Sequence, residues 1–271
     1  MTFNPVLPFG GYAGWAFLKK SLNSQTAAFN KSPELVRDED YFRAKIGSIK
    51  TAEQLVADRR LLKVALGAFG LDSDIDNKAF IQKVLQDGTL NTSALANKLA
   101  DKQYLKLSAA FGFGDFTVPS TKLSDFPDKI LTAYKARQFE TAVGDQDADL
   151  RLALNAEREL TVLTGKSTSE QLKWLGVLGN LPLKQVFSKA LGLPSNIGAL
   201  DLDKQLAVFQ DRAQSAFGDS TVSQFKDPIK VEGLIRRFLV RSQADASAGQ
   251  NGPGAIALQM LQQTAANARI R

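Results

Sequence analysis

A chain of 271 residues in which 44% are apolar, 17 of them Phe, has the material for a hydrophobic core, and its 23% charged fraction is ordinary for a globular protein. It contains neither Cys nor His. That excludes thiol and imidazole catalysis, disulfides, structural zinc and haem held by either ligand, and it lowers the prior for any enzyme. The net charge of +6 is small for this length, which argues against a dedicated nucleic-acid binder.

The first apolar stretch, Pro5 to Leu18, is interrupted by Pro8, Gly10, Gly11 and Gly14 and falls short of the roughly 20 residues that span a bilayer. Lys19 and Lys20 follow it, where a secretory signal would carry its positive charges in front. Neither a transmembrane helix nor a signal peptide is expected, and the cytoplasm is the default location. Gly10-Gly11-Tyr12-Ala13-Gly14 follows no strand and lacks the Lys-Ser or Lys-Thr pair of a phosphate loop. It reads as a turn. Residues 1–30 form an N-terminal extension whose aromatics, Trp15 and Phe17, are candidate anchors for a partner.

Residues 31–242 read as a helical body. Thr51 to Gln54 opens a helix that runs through Leu55, Leu62 and Phe69 to Gly70; a second starts near Asp74 to Asp76 and stops at Gly88. A third is expected from Thr92 or Ser93, as cap, to Gly112. Asp72, Asp74 and Asp76 have the spacing of a calcium loop, but Asn77 and Lys83 occupy the places of its Gly and its bidentate Glu. Asp145, Asp147 and Asp149 fail the same way at Leu150 and Ala156. Both clusters are read as helix caps, and no metal or cofactor is expected. Asp115 to Asp128, with Pro119 and Pro127, is the best boundary between two halves, 31–118 and 119–242.

Trp174, between Leu172 and Leu175, belongs to the core on this pattern. Leu202, Leu206, Phe209, Ala213, Ala216 and Phe217 then trace one helical face up to Gly218, and Val231, Leu234, Ile235, Phe238 and Leu239 trace another after Pro228. Lys230, Arg236, Arg237 and Arg241 on that last helix are a candidate anion patch, with the solvated side of a helix as the plainer reading. Residues 243–254, rich in Ala, Gly and Ser, have the composition of a flexible linker. It would tether an amphipathic C-terminal segment, 255–271, in which Ile256, Met260 and Leu261 are further candidate interface residues.

The fold class is all-α, a multi-helix bundle with extensions at both ends. Its recurring device is a helix closed by a small residue, a large apolar one and Gly, at Gly70, Gly112 and Gly192; the triplets Glu53-Gln54-Leu55 and Glu170-Gln171-Leu172 leave a true duplication open. Gly14-Trp15-Ala16-Phe17-Leu18, Asp40-Tyr41-Phe42, Asp58-Arg59-Arg60-Leu61-Leu62 and Ala68-Phe69-Gly70-Leu71 occur in that order. In this the chain resembles an uncharacterised alphaproteobacterial family, a domain of unknown function whose genes often lie among flagellar genes, up to about Arg241. The resemblance implies a non-enzymatic accessory or structural role, with flagellar components as protein partners and the cytoplasm or flagellar export as location. The alternative is a cytoplasmic protein that holds anions or nucleic acid on the basic face; the sequence favours neither nucleic acid nor membrane as partner and leaves oligomeric state open.

Overall fold

The expected helical periodicity becomes thirteen α-helices in the computed structural model, which describes residues 3–251 and has no strand among them. Helix α1 spans Gly11–Phe29, α2 Pro33–Lys45, α3 Ala52–Ala57 and α4 Arg59–Gly67. Thr51 caps α3 by accepting the Gln54 N–H at 3.2 Å, while the Gln54 carboxamide reaches back to the Lys50 N–H at 2.8 Å. The single helix expected over 51–70 divides at Asp58, whose carboxylate accepts the N–H groups of Arg60 and Leu61 and starts α4.

Helix α5 is Lys78–Asp87, α6 Leu95–Lys98 and α7 Gln103–Phe111. Neither Thr92 nor Ser93 caps a helix: the N–H of Leu95 turns to Asp87, and extended backbone at Leu99 separates α6 from α7. After α8 (Phe126–Gly144), Asp147 caps α9 (Ala148–Thr164) through the Leu150 N–H. Helix α10 is Glu170–Leu178, and α11, Leu181–Ala190, is capped by Asn180 through the Leu183 N–H. Helix α12 is Leu202–Phe217 and α13 Pro228–Asn251.

Two sets of helices repeat one order. A long helix (α2 or α9) leads to two short ones (α3 and α4, or α10 and α11), then a 3-10 turn at 72–74 or 195–199. A further helix follows (α5 or α12), then, beyond α6 and α7 in the first set, a 3-10 turn at 120–122 or 223–226 and a long closing helix (α8 or α13). In each set the second short helix packs on both the entry and the closing helix: α4 contacts α2 and α8, and α11 contacts α9 and α13. Because α8 closes the first set, the repeat divides between Gly144 and Asp147 rather than at residues 115–128.

The endings of α4 and α11 match in detail. The N–H of Leu71 bonds the carbonyl of Leu66 at 3.0 Å, and that of Leu193 bonds Ser188 at 2.8 Å, with the intervening Gly70 and Gly192 at φ of 74° and 66°. An arginine of the set's closing helix lies against each glycine: a Cβ at Gly70 would strike Arg137, and one at Gly192 would strike Arg241. The Glu-Gln-Leu triplets do not correspond, since Leu55 is fully buried and Leu172 is 56% exposed.

Both expected extensions change character. Helix α1 packs against α9 and α13, placing Trp15, Leu18 and Phe29 in a core that continues without a break to Leu239. Gly11 and Gly14 make this approach possible: a Cβ on Gly14 would lie 2.1 Å from the Phe9 carbonyl, and one on Gly11 would strike Gln243. Helix α13 runs to Asn251, so residues 243–251 are helical rather than a linker; Ala244 and Ala246 are strong helix formers in a continuing helix. The segment 255–271 lies outside the described residues.

Candidate functional site

Where the two sets meet, α8 and α9 bring together buried charge. Arg137 and Glu140 lie one turn apart on α8, and Asn155, Arg158 and Glu159 share a face of α9. The Glu159 carboxylate accepts from Lys106 of α7 at 2.9 Å, from Arg137 at 3.1 Å and from Arg158 at 2.5 Å. Arg158 also grips Glu140 with two nitrogens, at 2.6 and 3.0 Å. Burial alone would raise the Glu159 pKa, but Lys106, Arg158 and Arg137 outweigh it and hold the group at about 2. Three cations against two carboxylates leave one positive charge in the seam.

Two clefts open on either side of Gln103. One, of about 370 Å³, is lined by Gly70, Asp101, Arg137, Glu140, Arg151 and Asn155; the other, of about 190 Å³, by Lys106, Glu159, Lys166 and Asn180. Gln103, Asn155 and Asn180 are each at least 94% buried, and the amide oxygens of Gln103 and Asn155 and the amide nitrogen of Asn180 are enclosed without a hydrogen-bond partner in the protein. This seam could not be found from the sequence, because its members come from four helices and no short spacing links them.

The charges of the seam are paired with one another. Both carboxylates are held by arginine, and the half-buried phenol of Tyr104 and the buried phenol of Tyr134 donate to Asp74 and Asp38 at 2.6 and 2.9 Å. Burial first, and those carboxylates second, keep both phenols above their ordinary range. Among the described residues no three acidic groups converge to hold a metal ion. Asp72, Asp74 and Asp76 diverge instead, toward Gln138, Tyr104 and Arg59, so they neither build a calcium site nor cap α5. The capping role expected of the second acidic cluster is taken by Asp147.

A second feature is an exposed apolar projection. The Asp115 carboxylate accepts the N–H groups of Thr89 and Leu90 at 2.6 and 3.0 Å and the Thr89 hydroxyl at 2.8 Å. Gly114 presses on Gly88, where any Cβ would clash, so the turns after α5 and α7 are joined. Leu90 and Phe116 flank this junction with 72% and 57% of their surface exposed, and Val118 follows at 66%. Apolar residues in loops have no period, so the sequence pattern did not single these out.

The sequence-derived candidates are dispersed. Trp15 is 1% exposed and donates its indole N–H to Glu232 at 2.9 Å, so it anchors α1 to α13 and presents no surface to a partner. Phe17 is half-buried, and Ile256, Met260 and Leu261 lie outside the described residues. The four basic residues do not converge. Lys230 and Arg237 donate to the carbonyls of Phe217 and Ala216 at the C-terminus of α12, Arg236 stacks over Tyr12, and Arg241 lies on Gly192. They close helix ends and pack on aromatic rings.

A cleft of about 650 Å³ between α1, α8 and α9 has its charges paired as Lys19–Glu157 and Arg158–Glu140. None of the described helices is long and apolar enough to cross a membrane.

The family described as "Protein of unknown function (DUF1217)" matches residues 68–231, more than half of the chain, and the chain belongs to it. It is also similar to the crystal structure of protein AGR_C_984 from Agrobacterium tumefaciens, at 28% identity and a TM-score of 0.71 over 89% of this chain and 98% of that one. No curated protein matches.

Proposed function

We propose that this member of the family works by binding another protein, as an accessory or structural component connected with the bacterial flagellum, and catalyses no reaction of its own. The observation that carries the binding half is the projection of Leu90, Phe116 and Val118 on a pedestal fixed by Asp115. A solvent-facing apolar group held this rigidly loses little conformational freedom when a partner covers it. The non-catalytic half is supported by the seam, where the buried carboxylates are locked in ion pairs. The flagellar half rests on the resemblance of the ordered motifs from Gly14 to Leu71 to a family whose genes often lie among flagellar genes.

The test replaces Leu90 and Phe116 together by Ser in the native cell. Both side chains already face solvent, so the fold should persist, while flagellar proteins that co-purify with the native chain are lost and swimming is impaired. Unchanged swimming together with an unchanged set of co-purifying proteins would remove this surface from consideration. Fractionation of the same cells separates a cytoplasmic protein from one exported by the flagellar route.

A further inference from the structure

We propose that the groove beside α1 is a binding site for an extended segment of a partner protein, and that residues 3–9 of the chain occupy it in cis. The segment it takes has an apolar residue, Pro two places on, and a second apolar residue two places beyond that. This surface shares no residue with the Leu90–Phe116 projection and stands independently of it.

The chemistry of the partner is given by the residues already seated there. Residues 3–7 form neither helix nor strand and lie against the body with alternate side chains inward: Pro5 is buried, Phe3 and Leu7 pack on the core, and Asn4 and Val6 are exposed. Two side-chain amides read their main chain. The Oε1 of Gln25 accepts the Val6 N–H at 2.7 Å and its Nε2 donates to the Val6 carbonyl at 3.2 Å. Gln146, in the turn between α8 and α9, donates its Nε2 to the Pro5 carbonyl at 2.7 Å. The Val6 side chain is 56% exposed, so the Gln25 clamp is indifferent to the side chain at the position it holds. Proline suits the buried position before it, because it brings no N–H that would need a partner there. Phe3 closes the row edge-on against Phe29, with ring centroids 6.4 Å apart.

Two further features make this a receptor site. The clamp is set by α1 itself: the Ser21 hydroxyl donates to the Phe17 carbonyl at 2.9 Å and accepts from the Gln25 Nε2 at 2.8 Å, so the amide is oriented by its own helix. The resident segment is also weakly attached. Only Phe3, Pro5 and Leu7 contribute apolar burial, and the link to α1 runs through exposed Phe9 and the pair Gly10-Gly11, with Gly11 at φ 59°. A partner segment of the same pattern offers the same main-chain groups. It competes with residues 3–9 against their tether alone, which for a short flexible link is equivalent to a concentration of about 1 mM.

The experiment titrates a fluorescein-labelled heptapeptide of residues 3–9 with the full chain and follows anisotropy. The chain carrying Phe3→Ser and Val6→Pro, which empty the groove without touching a helix, should bind the peptide about tenfold more tightly than the native chain. Adding Gln25→Leu should remove about tenfold of that affinity, and so should Val6→Pro in the peptide, which deletes the clamped N–H. The native chain should show the same preference between the two peptides, a reading that needs no variant protein. Its Val6 N–H should also exchange with solvent about a hundredfold faster than that of Leu18 in the core, because the segment opens without the body. Equal exchange rates overturn the proposal, as does the absence of saturable binding to the emptied chain at millimolar concentration, or binding that Gln25→Leu leaves unchanged. A native dimer in size exclusion that Val6→Pro dissociates would assign the groove to residues 3–9 of a second copy, and that too overturns the partner reading.

Discussion

Glu159 is the residue on which the centre of the molecule depends most, because Arg137, Arg158 and Lys106 all direct charge at one carboxylate. Removing it leaves two largely buried guanidinium groups with a reduced counter-charge, so Glu159→Gln should lower stability by about 3 kcal/mol at neutral pH. The same group sets an acid response. Its pKa is depressed from 4.5 to about 2, so its contribution is complete above pH 4.5 and is lost as pH falls from there toward 2. Denaturant titrations at neutral pH and at low pH should show the native chain losing about 3 kcal/mol more than Glu159→Gln across that window. Parallel losses in the two proteins would refute the assignment. Backbone conformation predicts a second contrast. Gly70 and Gly192 hold left-handed φ values beneath an arginine, whereas Gly47 and Gly198 have ordinary φ and open space around the Cβ position. Ala at either of the first two should cost about 1–2 kcal/mol and at either of the second two close to nothing, read from urea midpoints at constant slope.

At the scale of elements, α1 shows what the sequence could and could not convey. Its Gly-rich start resembles a loose extension, yet those glycines are what let Trp15 enter the core and the indole reach Glu232 on α13, 217 positions away. Trp15→Ala should therefore cost about 3–5 kcal/mol and lower the melting temperature, as for any large core truncation. A melting curve that overlies the native one would restore Trp15 to the surface. Periodicity was enough for α12 and α13, whose apolar stripes bury Leu206, Phe209, Ala213, Leu234, Ile235, Phe238 and Leu239; Leu202, on the same stripe, stays 53% exposed at the helix start. Periodicity failed where a carboxylate takes backbone N–H groups, which an apolar stripe does not record: Asp58 divides one stripe into α3 and α4, and Asp87 takes the N–H that Thr92 or Ser93 was expected to cap. The seam was illegible for another reason: Gln103, Arg137, Asn155 and Asn180 become neighbours only after α7, α8, α9 and the cap of α11 have packed.

For the whole molecule, the question is whether the two repeated sets behave as two units or one. Their matching order, from the long entry helix to the arginine laid on the Gly70 or Gly192 ending, suggests sets that could each close on themselves. The contacts between them argue otherwise. Helix α8, which ends the first set, packs along α9, which begins the second, and the buried apolar residues form one continuous cluster from Trp15 to Leu239. A single guanidinium, Arg137, lies against the α4 ending while bonding Glu159 of α9, so loosening one set exposes charge in the other. The chain should therefore unfold in urea as one cooperative unit. Its fluorescence samples the second set, since Trp174 packs on Phe187 and Phe209 and Trp15 bonds Glu232 of α13, whereas far-ultraviolet circular dichroism samples every helix. The two signals should give coincident midpoints. A helix-signal transition at lower urea with tryptophan emission still native would mean that α2 to α8 melts independently, and the repeat would then mark two folding units joined at a polar seam.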